Sequence, residues 1–104
     1  MIRTYLEFEV LPGKAQGLAE FFDRRDILRN SVAQKGCRSA ELTISEDGLT
    51  AMVTATWDDL EAYERWTSRA DRGSDAGELS SFLQQPVGPA TVGRVLNVVL
   101  DGAS

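Results

Sequence analysis

A stretch in the middle of the chain has the pattern of a β-hairpin. From Cys37 to Trp57 it reads CRSAELTISEDGLTAMVTATW, two β-like runs separated by the Glu-Asp-Gly segment 46–48. Asp-Gly is a favoured pair in hairpin turns, and β-branched residues suit strands. The pattern predicts two strands, at 37–45 and 49–57, that pair antiparallel.

Strand and helix patterns flank the hairpin on both sides. At the start of the chain, polar and apolar residues alternate. Apolar residues then recur at helical spacing until Gly36, a residue type that suits the left-handed end of a helix. After the hairpin, Asp58 stands three residues before Glu61, a spacing typical of a helix start. The predicted elements are a strand at 2–10, a helix at about 13–34, the hairpin, a helix from Asp58, a short helix after Asp75 and a strand at 91–100.

This element order is that of a ferredoxin-like fold. It belongs to the α+β class, as βαββαβ with a four-stranded antiparallel sheet and helices on one face. The 104 residues suffice for one such domain, 1–104, with 101–104 expected as a frayed tail. The last predicted strand is apolar on both faces, so a second layer must cover it. The sheet of a partner subunit is the simplest cover, which predicts a symmetric homodimer.

Composition excludes several classes of function. A net charge of −5 argues against binding nucleic acid, which requires a basic surface. No apolar run approaches the roughly 20 residues that span a membrane, and no signal-peptide pattern opens the chain, so we expect a cytoplasmic protein without a membrane partner. The sequence has no histidine and one cysteine, which argues against His-based catalysis and against a zinc or other transition-metal site.

Three aromatic residues are the leading site candidates. Trp57 ends the predicted third strand, and Tyr63 and Trp66 lie on the inner side of the helix after it. Aromatic residues at helical spacing often belong simply to the core. They could equally line a flat, mostly apolar pocket with an indole N–H and a phenol O–H, which suits an aromatic small molecule.

Two polar residues interrupt apolar patterns. Arg25 falls inside the apolar stripe of the first predicted helix, where its guanidinium either reaches solvent along its stem or orients an anionic or phenolic ligand. Asn97 interrupts the last strand and binds either a ligand carbonyl or a neighbouring strand. Cys37 is interpreted as a small core residue.

Several short motifs resemble one family. Pro12-Gly13-Lys14 opens the first helix, Gly36-Cys37 opens the second strand, and Trp57 is followed by Glu61-Ala62-Tyr63. Their order and spacing, over about residues 2–100, resemble the antibiotic biosynthesis monooxygenase (ABM) superfamily of dimeric ferredoxin-like α/β barrels.

The resemblance implies a dimer with one pocket per subunit and an activity on aromatic polyketides. Well-studied members oxidise phenolic polyketides to quinones with O2 and without flavin, haem or metal, so the resemblance implies no cofactor. Trp57 and Tyr63 match a Trp and a Tyr that contact substrate in such enzymes. The family pattern has an Asn where this chain has Val53, and Arg25, Arg69 and Arg72 are candidates for its pocket arginine. A haem-degrading branch uses an axial histidine, which this sequence lacks.

Three functions remain open from the sequence. The leading hypothesis is a cofactor-independent monooxygenase that oxidises a polycyclic phenolic metabolite, with catalytic Trp57 and Tyr63 and with Trp66, Arg25 and Asn97 binding substrate. The second is a non-catalytic dimer that holds an aromatic ligand, which Val53 in place of the family Asn favours. The third is a polyketide cyclase or isomerase, which needs an acid–base group such as Tyr63 or Arg25.

Overall fold

An antiparallel four-stranded sheet organises the part of the chain that the structure, a computed structural model, describes: residues 1–69, 75–87 and 93–102. The elements in chain order are β1 (Ile2–Glu9), α1 (Ala15–Arg24), α2 (Ile27–Val32), β2 (Cys37–Ile44), β3 (Thr50–Trp57), α3 (Leu60–Thr67), α4 (Ala76–Ser80) and β4 (Arg94–Asn97). The strand order is β2-β3-β1-β4, with β1 at the centre between β3 and β4. This order confirms the predicted ferredoxin-like α+β fold. None of the described helices is long and apolar enough to cross a membrane.

The central hairpin forms where the sequence predicts it. β2 and β3 pair antiparallel, and the backbone N–H of Ser45 donates to the carbonyl of Thr50 over 2.9 Å. The N–H of Gly48 closes the turn on the carbonyl of Ser45, also over 2.9 Å. The pairing is displaced by one residue between Cys37 and Ser39, where β2 enters the sheet.

The single first helix predicted at about 13–34 is wrong, because the chain breaks into α1 and α2. Asp26 lies between the two helices in the left-handed region, with φ of 53°. Aspartate tolerates this conformation better than most residues, since its short side chain makes local hydrogen bonds. Here the Arg29 guanidinium pairs with the carboxylates of both Asp23 and Asp26 and so bridges the break.

The start of α3 lies one residue later than predicted. The side chain of Asp59 caps the helix by accepting the backbone N–H of Ala62 over 2.9 Å. Asp58 instead accepts a hydrogen bond from Arg38 Nε over 2.5 Å. The cap satisfies one of the free N–H groups of the first turn and fixes the direction in which α3 leaves β3.

The last strand is shorter than the predicted 91–100. β4 covers only Arg94–Asn97, residues 98–100 continue outside the sheet, and residues 91–92 lie outside the described part of the chain. Its apolar residues remain in contact with solvent, with Val95 42% and Leu96 45% exposed. Because these neighbours point to opposite faces of the sheet, neither face of β4 is fully covered within one chain.

Two separate clusters fill the space between the sheet and the helices. The phenylalanine cluster consists of Phe8, Val10, Leu18, Phe21, Phe22, Ala51 and Leu83. The tryptophan cluster consists of Ile2, Ala55, Trp57, Ala62 and Tyr63, with Cys37, Ala40 and Trp66 packed against it. The two clusters lie at opposite ends of β1, since Ile2 begins that strand and Phe8 is close to its end.

Candidate functional site

Trp57 and Tyr63 meet at the centre of the tryptophan cluster. Their ring centroids are 5.6 Å apart with planes at 60°, an edge-type arrangement that aromatic pairs favour. Trp57 is 1% and Tyr63 7% exposed. The Asp59 cap starts α3 just after β3 ends, and Ala62 and Tyr63 are the residues of α3 that this geometry buries against the sheet.

The polar ends of both rings are hydrogen-bonded, one to a residue of β1 and the other to the residue just before β4. The indole Nε1–H of Trp57 donates to Thr4 Oγ1 on β1 over 3.2 Å. The backbone N–H of Gly93, which directly precedes β4, donates to the hydroxyl oxygen of Tyr63 over 2.9 Å. The indole N–H of Trp57 and the hydroxyl oxygen of Tyr63 therefore each have one hydrogen-bond partner.

An open strip lies beside this pair on the helix side of the sheet, and we define it as Val95 and Asn97. Val95 is paired with Thr4 and Asn97 with Ile2 across the β1–β4 ladder. Cross-strand partners project to the same face, yet Ile2 and Thr4 are each 5% exposed whereas Val95 and Asn97 are exposed. The strip is thus a partly uncovered surface with an apolar and an amide side chain.

Trp66 and Arg25, the remaining predicted site residues, have different neighbours from each other. Trp66 is partly buried against the tryptophan cluster, and the guanidinium carbon of Arg69 lies 5.8 Å from the centroid of its ring. Arg25 follows the end of α1 and pairs with Glu78 at 2.9 Å and Asp75 at 3.8 Å. The described contacts therefore place Arg25 against the α4 region rather than against the tryptophan cluster.

Val53 occupies an apolar position in the sheet. It is paired with Leu6 of β1 and Leu42 of β2, and all three pack against the phenylalanine cluster. Where the family pattern has an asparagine, this chain therefore has a valine whose two cross-strand partners are leucines. Arg72, another arginine that the sequence suggested, lies outside the described residues.

Cys37 is partly buried and packs against the tryptophan cluster. Burial raises the pKa of the thiol, and hydrogen bonds with Ser31 and Ser39 only partly offset this effect. A thiol with a raised pKa is a weak nucleophile at neutral pH. The described parts of the chain contain no group of three or more His, Cys, Asp or Glu residues that could hold a metal ion.

A shallow depression lies on the sheet, lined by Tyr5, Leu6, Glu7, Met52 and Arg94. Its volume is about 570 Å³, and the guanidinium carbon of Arg94 lies 5.6 Å from the ring centroid of Tyr5. The alternation of β1 and β3 places Tyr5 and Met52 on the side of the sheet opposite Thr4 and Ala55. No motif in the sequence indicates this depression.

Thr4 and Gly93 were also not identified from the sequence. The signal for Thr4 was present, because it is the one polar residue at the inward positions Ile2, Thr4, Leu6 and Phe8 of β1. A hydroxyl on an apolar face needs a partner, and here it meets an indole. Gly93 carried no comparable signal, since its contact with Tyr63 depends on how α3 and β4 pack.

The chain matches known proteins in family pattern and in fold. The family model described as "Antibiotic biosynthesis monooxygenase" matches residues 1–72. No curated protein sequence matches significantly. Rv0793 from Mycobacterium tuberculosis is similar in structure, with a TM-score of 0.74, 19% identity, and 98% of each chain covered.

Two further solved structures carry ligands. The monooxygenase ActVA-Orf6 of Streptomyces coelicolor, in complex with Nanaomycin D, has a TM-score of 0.65 and 21% identity, covering 99% of this chain and 89% of its own. The heme-degrader MhuD of Mycobacterium tuberculosis, with two hemes in its active site, has a TM-score of 0.67 and 19% identity, covering 99% and 100%.

The MhuD structure corrects the expectation that this chain needs no cofactor and, in particular, no haem. That expectation is wrong, because a protein of this fold holds two hemes in its active site. The absence of histidine from this chain removes one axial ligand, but cysteine, methionine and tyrosine also hold haem iron in proteins. Haem therefore belongs among the ligands with which the site is tested.

The family match extends over the sheet strands β1 to β3, over α1 and α2, and over α3 with its Trp57–Tyr63 pair. It thus includes the whole of the tryptophan cluster. The chain belongs to the antibiotic biosynthesis monooxygenase family.

Proposed function

We propose that this chain is a monooxygenase that oxidises a polycyclic phenolic ligand of the aromatic-polyketide type with O2. The observation that carries the proposal is the Trp57–Tyr63 pair, whose polar ends are hydrogen-bonded to Thr4 of β1 and to Gly93 just before β4, beside the open strip. The structure of ActVA-Orf6 with Nanaomycin D supports the ligand class.

The proposed reaction is the conversion of an anthrone to an anthraquinone. O2 supplies one oxygen atom to the ring methylene carbon, and the other oxygen leaves as water with the two methylene hydrogens. Four electrons pass from the substrate carbon to O2. The protein contributes shape, exclusion of water and a polar contact to the substrate oxygen as its charge develops.

Each proposed site residue has a role that its position allows. Tyr63 contacts a substrate oxygen, Trp57 packs against the Tyr63 ring, and Trp66 packs against the same cluster. Asn97 offers an amide at the open strip. Arg25 stays a sequence prediction, because its described partners are Glu78 and Asp75.

The test is oxygen uptake with a panel of anthrones and naphthacenones. We expect uptake above the uncatalysed rate with one quinone formed per O2 consumed, and a large loss in Tyr63→Phe. Tyr5→Phe is the matched control, because the chain has two tyrosines and Tyr5 lies on the other side of the sheet. Uptake at the uncatalysed rate by folded protein contradicts the proposal, as does turnover of hemin alone.

A second candidate is a non-catalytic dimer that holds the same class of ligand. The aliphatic surroundings of Val53, between Leu6 and Leu42, favour it because the family amide is missing there. It predicts quenching of tryptophan fluorescence by the ligand without product. Quinone formation would exclude this candidate.

The same proposal includes a homodimer. Val99 and Leu100 are each 89% exposed, an unusual state for large apolar side chains beside an incompletely covered strand. We expect the wild-type chain to sediment as a dimer and Val99→Asp to sediment as a folded monomer. Leu60→Asp is the control, because Leu60 is 47% exposed and begins α3, where a carboxylate is favourable. A wild-type monomer at micromolar concentration contradicts the dimer.

A further inference from the structure

The hydrogen bonds around Trp57 and Tyr63 determine what a ligand must offer. We propose that Thr4 and Gly93 are positioning residues that leave the hydroxyl hydrogen of Tyr63 as the donor for a ligand oxygen. The site would then select flat ligands with a carbonyl or phenolate oxygen over flat hydrocarbons. This inference rests on the proposed function and specifies its ligand.

The contact between Gly93 and Tyr63 has a defined polarity. The backbone N–H of Gly93 is the donor and the phenol oxygen the acceptor, over 2.9 Å. A phenol has one hydrogen to donate, and accepting a bond does not use it. The hydrogen must point away from the Gly93 N–H, so Tyr63 can donate it to an oxygen of a ligand.

Trp57 has no corresponding capacity. An indole has a single N–H and no acceptor, and in this structure Thr4 Oγ1 receives that N–H over 3.2 Å. Trp57, which is 1% exposed, therefore offers only its aromatic surface, and it offers that surface to the neighbouring Tyr63 ring. Thr4 fixes the orientation of this surface from β1, where it is 5% exposed and thus held firmly.

Gly93 can approach Tyr63 this closely because glycine has no side chain. A Cβ added at Gly93 would lie 2.7 Å from the backbone oxygen of Tyr5 and 3.3 Å from the Tyr63 hydroxyl oxygen. The first distance is shorter than real Cβ contacts and involves backbone, which cannot easily move. Any larger residue would displace β4 or the phenol and so change the direction of its donor.

The donor lies next to a surface that suits the body of such a ligand. Gly93, Val95 and Asn97 alternate along one face of the chain, so the open strip continues from the residue that holds Tyr63. Val95, 42% exposed, offers apolar contact for a ring, while Tyr63 addresses an oxygen at the ring's edge. This combination recognises an oxygenated polycycle.

The test compares two ligands with the same three-ring framework and the same charge, anthraquinone-2-sulfonate and anthracene-2-sulfonate. Binding is followed by tryptophan fluorescence and by calorimetry. We expect the wild-type chain to bind the quinone about tenfold more tightly, as one hydrogen bond allows. Tyr63→Phe should bring the ratio of the two dissociation constants close to one, whereas Tyr5→Phe should leave it unchanged.

The positioning residues have their own readouts. Thr4→Val should weaken the binding of both ligands without changing the ratio of their dissociation constants. Thr4→Ser, which keeps the hydroxyl, should bind both ligands as tightly as the wild type. Gly93→Ala should lower the ratio, while Gly77→Ala, where an added Cβ meets nothing within 4 Å, should not. Circular dichroism confirms that each variant is folded.

The outcomes separate this inference from the proposed function. Equal binding of both sulfonates by the wild-type chain, unchanged in Tyr63→Phe, overturns the inference and leaves an aromatic-ligand pocket. Failure of the wild-type chain to bind either sulfonate or any anthrone overturns the proposed function as well.

Discussion

The two clusters under the helices differ in chemistry. The phenylalanine cluster is built from aliphatic and phenyl side chains, and its ring contacts include Phe21 with Phe22 at 6.0 Å between centroids. The tryptophan cluster holds an indole, a phenol and a neighbouring thiol, and its hydrogen bonds reach Thr4 and Gly93. The first cluster has no polar group to offer a ligand, whereas the second is where we propose that a ligand binds.

Their borders differ as well. Helices α1 and α2 and the residues around α4 pack around the phenylalanine cluster, which contacts Leu28 and Leu79 at its edges. The tryptophan cluster is bordered by the open strip, where Val95 and Asn97 are exposed. We therefore expect the phenylalanine cluster to maintain the fold and the tryptophan cluster to bind the proposed ligand.

The largest expected effect comes from emptying the phenylalanine cluster. Phe21 is 1% exposed, so Phe21→Ala removes a whole ring from close packing and should lower the free energy of unfolding by about 3–5 kcal/mol. Urea denaturation measures it, with Leu60→Ala, an exposed position, as the control. A loss below about 1 kcal/mol would contradict the structural role of this cluster.

A smaller effect is expected where β2 meets α3, at the border of the tryptophan cluster. Gly36 has φ of 90°, and a Cβ there would lie 2.6 Å from the Cβ of Ala62. Gly36→Ala should lower the free energy of unfolding by about 1–3 kcal/mol and weaken ligand binding, because α3 must shift. Gly77→Ala is the control, since its helical site is open. Unchanged melting of Gly36→Ala would refute this contact.

A conservative change inside the tryptophan cluster should cost less stability. Tyr63→Phe keeps the ring but leaves the Gly93 N–H without its acceptor, so we expect a loss of about 1 kcal/mol. Thermal unfolding monitored by circular dichroism measures it. A loss as large as that of Phe21→Ala would mean that the two clusters are not distinguished by function.

Whether a feature of the fold or of the site could be predicted from the sequence depends on how far apart in the chain its interacting residues are. The hairpin was predictable because Asp47-Gly48 and the β-branched runs act locally. The break at Asp26 was not, since a left-handed aspartate bridged by Arg29 leaves the apolar spacing of a helix intact. Tyr63 was predicted as a site residue, but its partner Gly93 is 30 residues away and has no side chain to signal a role.

The smallest effect concerns the ion pairs that link α1 to α4. Hydrogen bonds from Arg24 and then Arg25 lower the pKa of Glu78. A carboxylate with a depressed pKa stabilises the fold above its unfolded value of about 4.3, and this contribution disappears as pH falls through the lower folded-state pKa. When the pH is lowered from neutral to acidic, the melting temperature should therefore decrease less in Glu78→Gln than in the wild type. Parallel pH profiles would show that these exposed pairs contribute nothing.

The most direct test of the division between the two clusters is a nuclear magnetic resonance titration with anthraquinone-2-sulfonate. The chain has two tryptophans, so the indole N–H of Trp57 is one of only two such signals. We predict that this signal, the amide of Gly93 and the amides of Val95 and Asn97 shift on binding while those of Phe21 and Phe22 do not. Shifts confined to the amides of Tyr5 and Arg94, at the depression on the other side of the sheet, would contradict the account.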